Sequence, residues 1–462
     1  MQITKAGLFD FARRHRGEFE TLLAEFVAVP TVSADPAHRG DIARGAELAA
    51  TTLRRFGADV RLYQVEGGSP VLHAVFGNDP GRPTVTVYNH MDVQPASKET
   101  EPWATDPFVF TKKGDTYFGR GTTDDKGPAL SALYGAKAAL EAGVPVNIRF
   151  LWELEEEIGS PHFAATLRTM KDAARTDVVV VSDTVWVSRG RPSISSGLRG
   201  LQRFTFTLET AATDQHSGTA GGAARNPVAE LAQLASEMHD ARTGRVKIPG
   251  FYEDVAPLTR AEARDFRSSG FSVARFMKDH GFRSIRTKDP LEVMKRIWAL
   301  PTFEVHGLVG GYTGPGVKTV VPPRAELKVS IRLVPDMKPA KIARAVRELV
   351  KKRSPDVKIE TDPAALPFKG HISGPQVEAV KNAIRFTWGK EPVFTREGGT
   401  IGAVLSMEQI LKAPVLFLGL SLPDHGYHAP NENFDWGQAE GGMVAFAKYF
   451  EEMSRLPRRK RP

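Results

Sequence analysis

The chain has 462 residues, 41% hydrophobic and 25% charged, with no cysteine and a formal net charge of +8. That length exceeds what one core accommodates, and the composition is that of a globular protein of two or three domains. The lack of cysteine excludes disulfides, thiolate metal sites and cysteine nucleophiles, so any metal must be held by nitrogen and oxygen.

The N-terminal MQITKAGLFDFARRHRGEFE is charged throughout and lacks the apolar stretch of a signal peptide, so a cytoplasmic protein is expected. Helical periodicity runs through residues 8–28 and 43–56. Strand-like runs follow at ADVRLYQV, VLHAVFG and PTVTVYNH, then a helix at KGPALSALYGAKAALEAG and further strands at VNIRFLWELE and DVVVVSD. Strands alternating with helices predict an α/β fold with a mostly parallel sheet covered on both faces.

Near residue 190 the texture changes. SISSGLRGLQRFTFTLET and RAELKVSIRLVPDM alternate like half-exposed antiparallel strands, and between them lie the helix NPVAELAQLASEMHD and a charged stretch at 251–300. KPAKIARAVRELVKKR predicts a helix and DVKIETD a strand; APVLFLGL and residues 437–454 then restore the first pattern. The expected organisation is an α/β domain over 1–195 and 379–462, interrupted by an inserted α+β domain at 196–378. The longest apolar runs are far short of a membrane span. Basic residues are scattered apart from the closing RLPRRKRP, which reads as a solvated tail, so neither membrane nor nucleic acid is an expected partner.

Chemistry concentrates where the predicted strands of the outer domain stop. TVTVYNHMDV ends with His90 and Asp92, and side-chain alternation would let Asp92 hold the imidazole nitrogen that His90 does not use. GRGTTDDKGP places Asp124 and Asp125 in a glycine-rich turn before a helix; two acids would repel phosphate, and the spacing is not that of a phosphate loop. VVVVSD ends in Asp183, and DHGYHAPNENF offers His425 and His428. Each has a bland reading as a cap or surface loop. Together, four strands delivering Asp, Glu or His to one sheet edge suit divalent metal, and the number of acids suits two ions. That would also explain LWELEEEIGS, where Glu153, Glu155, Glu156 and Glu157 crowd together after a buried run: cations would neutralise the acids, one ligating and another free as a base.

The segments HMD, TDDKGP, EEIGS, SD before W, DQHSG, SIRLVP, REGGT and HAPNE occur in the order that resembles the M20 family of di-zinc metallopeptidases, in particular its dipeptidase branch. The resemblance spans nearly the whole chain and implies hydrolysis of dipeptides or short peptides by two divalent ions, zinc first, with manganese or cobalt as substitutes. It implies His90 and Asp183 at one ion, Glu157 and His428 at the other, and Asp124 bridging. Alignment on Ile158-Gly159-Ser160 makes Glu156 the general base, while Asp92 would orient His90. His216 in DQHSG would reach the site of the partner subunit of a homodimer and stabilise the oxyanion. Arg332 would bind the substrate carboxylate, with Thr319 and Gly398, Gly399 and Thr400 lining the substrate. Glu153 and Glu155 are left as solvated or supporting acids, and His425 falls outside the ligand set. Two other readings stand beside it: an N-acyl amino acid deacylase on the same ligands, and a non-catalytic binding protein that has kept the fold. GLSLP is the nearest approach to a serine-hydrolase elbow, and Pro423 spoils it.

Overall fold

The computed structural model describes residues 3–458, so the last four residues of the basic tail lie outside the described residues. The central sheet has six strands in the order 59–63, 71–76, 147–153, 84–90, 178–181 and 415–417. Its first two pairings are antiparallel and the other three parallel. The strands Thr84–His90, Asn147–Glu153 and Val178–Val181 are buried along their whole length, as parallel strands covered on both faces must be.

Alternation divides those strands between two cores. Val178 and Val180 face the helices Lys5–Val27, Lys126–Glu141, Pro375–Trp388 and Trp436–Ser454. Val179 and Val181 face the other way, onto Phe163–Thr169 and Gly402–Leu411. The sheet therefore lies between helices, and the carboxyl ends of its parallel strands all open on one edge.

A second core forms around an antiparallel sheet in the order Thr302–Gly310, Arg324–Leu333, Gly200–Glu209 and Lys358–Thr361. The helices Pro227–Met238 and Pro339–Arg353 cover it, burying Phe204, Phe206, Leu231, Leu234 and Val346. The strand Thr302–Gly310 does not show in the sequence pattern. It is an edge strand on which Phe303 alone is buried, and two glycines interrupt it.

SISSGLRGL does not behave as one insert strand. Ser193–Leu198 is fully buried and pairs in parallel with Val393–Glu397, while Gly200–Glu209 begins the insert sheet. The charged stretch at 251–300 holds short helices, Arg260–Ser268, Val273–Asp279 and Pro290–Met294, around a small core of Phe266, Met294 and Ala299. Thr259 and Glu262 cap the first of these reciprocally. Among the described residues, no helix is long and apolar enough to cross a membrane.

Candidate metal centre

His90 is the last residue of its strand and is fully buried. Its Nδ1 lies 3.0 Å from the backbone carbonyl of Asp92. A carbonyl can only accept, so Nδ1 is assigned the proton and Nε2 is left to face the acids. Nε2 lies 3.0 Å from Asp124 Oδ1 and 3.8 Å from Asp183 Oδ2.

Asp124 comes from the turn before the helix Lys126–Glu141. Gly121 in that turn has φ +88, and a Cβ there would lie 2.7 Å from Val93, so a side chain would force the turn apart. The other oxygen of Asp124, Oδ2, is 3.0 Å from His428 Nε2. His428 Nε2 is also 3.2 Å from Glu157 Oε2. Asp124 thus gives one oxygen to each histidine. Two ligand sets result, His90–Asp124–Asp183 and Asp124–Glu157–His428, each with its ligand atoms within 4.8 Å of one another.

Burial pushes the Asp183 carboxyl up to about 6, with the charge of Asp124 acting in the same direction. Burial likewise holds Glu157 above the ordinary range and Glu156 well above it, and neighbouring acids add to both. Burial opposes protonation of His90, yet Asp124, Asp92 and Asp183 outweigh it and hold the imidazole well above its ordinary value. Three carboxylates and two imidazoles, all nitrogen and oxygen donors around one shared aspartate, fit two divalent cations.

The surroundings position these ligands. Tyr427 donates its hydroxyl to Asp183 Oδ1 at 2.9 Å, and Gln94 donates to Glu157 Oε2 at 2.7 Å. Asp92 meets both His90 and the turn that carries Glu156 and Glu157. Its carboxylate lies 3.5 Å from His90 Nδ1, within ion-pair reach, while the Asp92 carbonyl makes the shorter contact to the same nitrogen. The carboxylate also accepts from the backbone N–H of Glu156 at 3.1 Å and of Glu157 at 3.0 Å, pinning the turn that carries both acids. Among the described residues, no hydrogen-bond partner is found for the Glu156 carboxylate itself.

Glu153 and Glu155 are not solvated; both are buried. Glu153 accepts from Tyr88 at 2.6 Å and Ser160 at 2.9 Å, and burial raises its carboxyl to about 8. Glu155 accepts from Ser69 N–H at 2.7 Å and lies 3.1 Å from His162 Nδ1. The crowding of acids therefore has two causes, and only part of it faces the ligand sets.

His425 is buried between Asp435 at 2.9 Å and Thr123 at 3.0 Å and belongs to neither set. His216 and Thr319 are exposed at the two-stranded ribbon formed by Gln215–His216 and Val320–Val321, and His216 accepts at Nδ1 from Gly218 N–H and at its carbonyl from Thr219, both in the helical turn that follows. Arg332 donates to Thr400 at 3.1 Å. Gly398 and Gly399 accept through their carbonyls from Arg199 Nε and N–H, each at 3.1 Å.

Two positions are not singled out by sequence reasoning. Glu432, the acid of HAPNE, is fully buried and accepts from Arg120 at 2.9 Å and from the backbone N–H of Gly121, Thr123 and Asp124. Arg199 lies against the Gly398 loop, and its Nη1 is buried with no partner among the described residues. The first carried a signal in its motif; the second carried none. A cleft of about 790 Å³ runs beside the ligands, with Tyr427, Glu397, Gly398 and Arg199 in its wall.

Two His/carboxylate sets sharing an aspartate at the carboxyl edge of an α/β sheet define the class of dinuclear metallohydrolases. The comparisons with known proteins narrow this. The profile of peptidase family M20/M25/M40 matches residues 86–452. The Beta-Ala-His dipeptidase of Homo sapiens is 34% identical, over 97% of this chain and 92% of its own length. The Cys-Gly metallodipeptidase dug1 of Schizosaccharomyces pombe is 33% identical over 98% and 99%. The structure of the dipeptidase Dug1p from Saccharomyces cerevisiae superposes with a TM-score of 0.88 at 30% identity, covering 99% of this chain and 100% of that one. Human carnosine dipeptidase 1 gives 0.85 at 33%, covering 98% and 99%. The chain belongs to peptidase family M20/M25/M40.

Proposed function

We propose that this protein is a metal-dependent dipeptidase that hydrolyses the peptide bond of dipeptides or short peptides with a free C-terminal carboxylate. The observation that carries the reading is the split of Asp124, whose two oxygens each lie 3.0 Å from a different histidine. His90 and Asp183 would hold one divalent ion, Glu157 and His428 the other, with Asp124 between them; zinc is the ion we favour. When bound, the ions supply Lewis acidity and a water acidic enough to attack near neutral pH.

The chain's own groups do the rest. Glu156 accepts the proton of the attacking water at its carboxylate and returns it to the leaving amine. Asp92 holds the Glu156–Glu157 turn by two backbone N–H groups, which fixes base and ligand relative to each other. Arg332 binds the substrate's carboxylate by its planar fork, beside Gly398, Gly399 and Thr400. His216 and Thr319 share an exposed ribbon, which supports their delivery across a homodimer to the partner's site, His216 as an oxyanion donor. In this reading residues 196–378 serve as lid and dimerisation domain of a cytoplasmic enzyme.

The test is amine release from dipeptides, longer peptides and N-acetyl amino acids, by protein stripped of metal and reloaded with Zn²⁺, Mn²⁺ or Co²⁺. Metal-dependent cleavage of dipeptides is expected. Cleavage confined to N-acetyl amino acids would replace the reading with a deacylase on the same ligands.

A further inference from the structure

Arg199 and Arg332 are neighbours, and among the described residues neither has a carboxylate within ion-pair distance. Both are largely withdrawn from solvent, and Arg199 Nη1 is buried with no hydrogen-bond partner among the described residues. Glu304 acts on Arg199 only from beyond ion-pair distance, so two guanidinium groups share one distant acid, and the site has room for an anion from outside the chain.

They are part of a larger basic feature. A second cleft, of about 450 Å³, is lined by Arg199, Arg245, Arg286, Arg296 and Arg332, with Glu304 its only carboxylate. Of the five arginines, Arg296 alone is ion-paired among the described residues, with Glu292 at 3.3 Å. Arg286 and Arg296 are fixed by carbonyls of the 241–243 turn, donating to Ala241 at 3.2 Å and Thr243 at 3.1 Å. Carbonyl contacts hold a guanidinium in place without neutralising it. This cleft shares Arg199 and Ile297 with the wall of the cleft beside the metal ligands.

If Arg332 takes the α-carboxylate, the basic cleft is where the C-terminal residue of the substrate lies. An α-carboxylate occupies one or two guanidinium groups, yet five arginines line the space. We infer that this subsite selects a second negative charge, so that the preferred substrates are dipeptides ending in aspartate or glutamate. Arg199 and Arg332 hold the α-carboxylate; Arg245 and Arg286, both exposed at the cleft, attract the side-chain carboxylate. The inference rests on the dipeptidase reading above.

The experiment compares kcat/KM of the metal-loaded enzyme for Ala-Glu with Ala-Gln and for Ala-Asp with Ala-Asn, pairs alike in shape and different in charge. In parallel, N-acetyl-glutamate and N-acetyl-glutamine are titrated calorimetrically into the same protein. A preference of about tenfold for the acidic member is expected at low salt, shrinking as salt screens the exposed arginines. R245Q/R286Q should bring both ratios close to one, and circular dichroism would verify its fold. Equal kcat/KM for Ala-Glu and Ala-Gln, with equal binding of the two N-acetyl compounds, would overturn the inference and leave the dipeptidase reading standing. Tighter binding of N-acetyl-glutamate without turnover of any dipeptide would uphold the anionic subsite and overturn the dipeptidase reading.

Discussion

Replacing Glu432 with alanine tests how the ligand turn is held. Glu432 is fully buried, Arg120 is 2% exposed, and they meet at 2.9 Å. The same carboxylate accepts from the N–H of Gly121 and Thr123 at 2.9 Å and of Asp124 at 3.1 Å. E432A would leave a cation buried with no counter-charge, a loss of about 3–5 kcal/mol. The α/β part has roughly 300 residues, with an unfolding entropy of about 0.6 kcal/mol/K, so the melting temperature should fall by about 5–8 °C. Metal affinity should fall as well, by roughly 10–100-fold, because the turn that presents Asp124 loses its acceptor. The assay is thermal unfolding by tryptophan fluorescence in chelator, with metal content measured after dialysis. R120M/E432M removes the stranded charge and should be more stable than E432A. An E432A protein that melts within about 2 °C of wild type and keeps its metal would refute the reasoning.

E156Q should abolish turnover while metal content stays as in wild type; normal activity would remove Glu156 from the role of base. D124A should lower occupancy of both ions, measured by mass spectrometry of the metals, because one residue serves both sets; a protein that still holds two ions would rule out bridging. His73 is buried, its Nε2 without a partner among the described residues, and burial, with the charges of Arg149 and Arg61, lowers its pKa to about 4. The unfolded chain therefore takes up this proton first, and stability should be lost as pH falls from about 6.5 to 4, by up to about 3 kcal/mol. H73F should lose stability less steeply than wild type over that window; parallel melting curves would contradict the assignment.

The strand ends were legible because a buried β-branched run that stops at a histidine or aspartate sets a polar side chain at a sheet edge, where it needs a partner or a ligand. His90, Asp183 and the acids after Trp152 all stand at such stops. Asp92 was legible as a neighbour of His90 but not as the anchor of the Glu156–Glu157 turn, because spacing does not reveal which backbone N–H groups the fold brings to a carboxylate. Glu153 and Glu155 look like surface acids in a string of glutamates; only the fold shows Tyr88, Ser160 and Ser69 waiting for them. The basic cleft was illegible for a different reason. Its five arginines come from four separate stretches of chain, each ordinary alone, and become a feature only when tertiary structure gathers them.

The ligand sets join distant ends of the polypeptide. His90, Asp124 and Asp183 precede the insert, whereas His428 and the Glu432 that steadies Asp124 follow it. On a ribosome, the early ligands emerge while the edge strand 415–417 and the closing helix Trp436–Ser454 are still unmade. The insert, with its own core, can compact in the meantime, which shortens the loop that the host domain must close. A product truncated before residue 428 would lack a ligand of the second set, however well its earlier part folded. Two-ion binding would thus report that the chain was synthesised at least through His428.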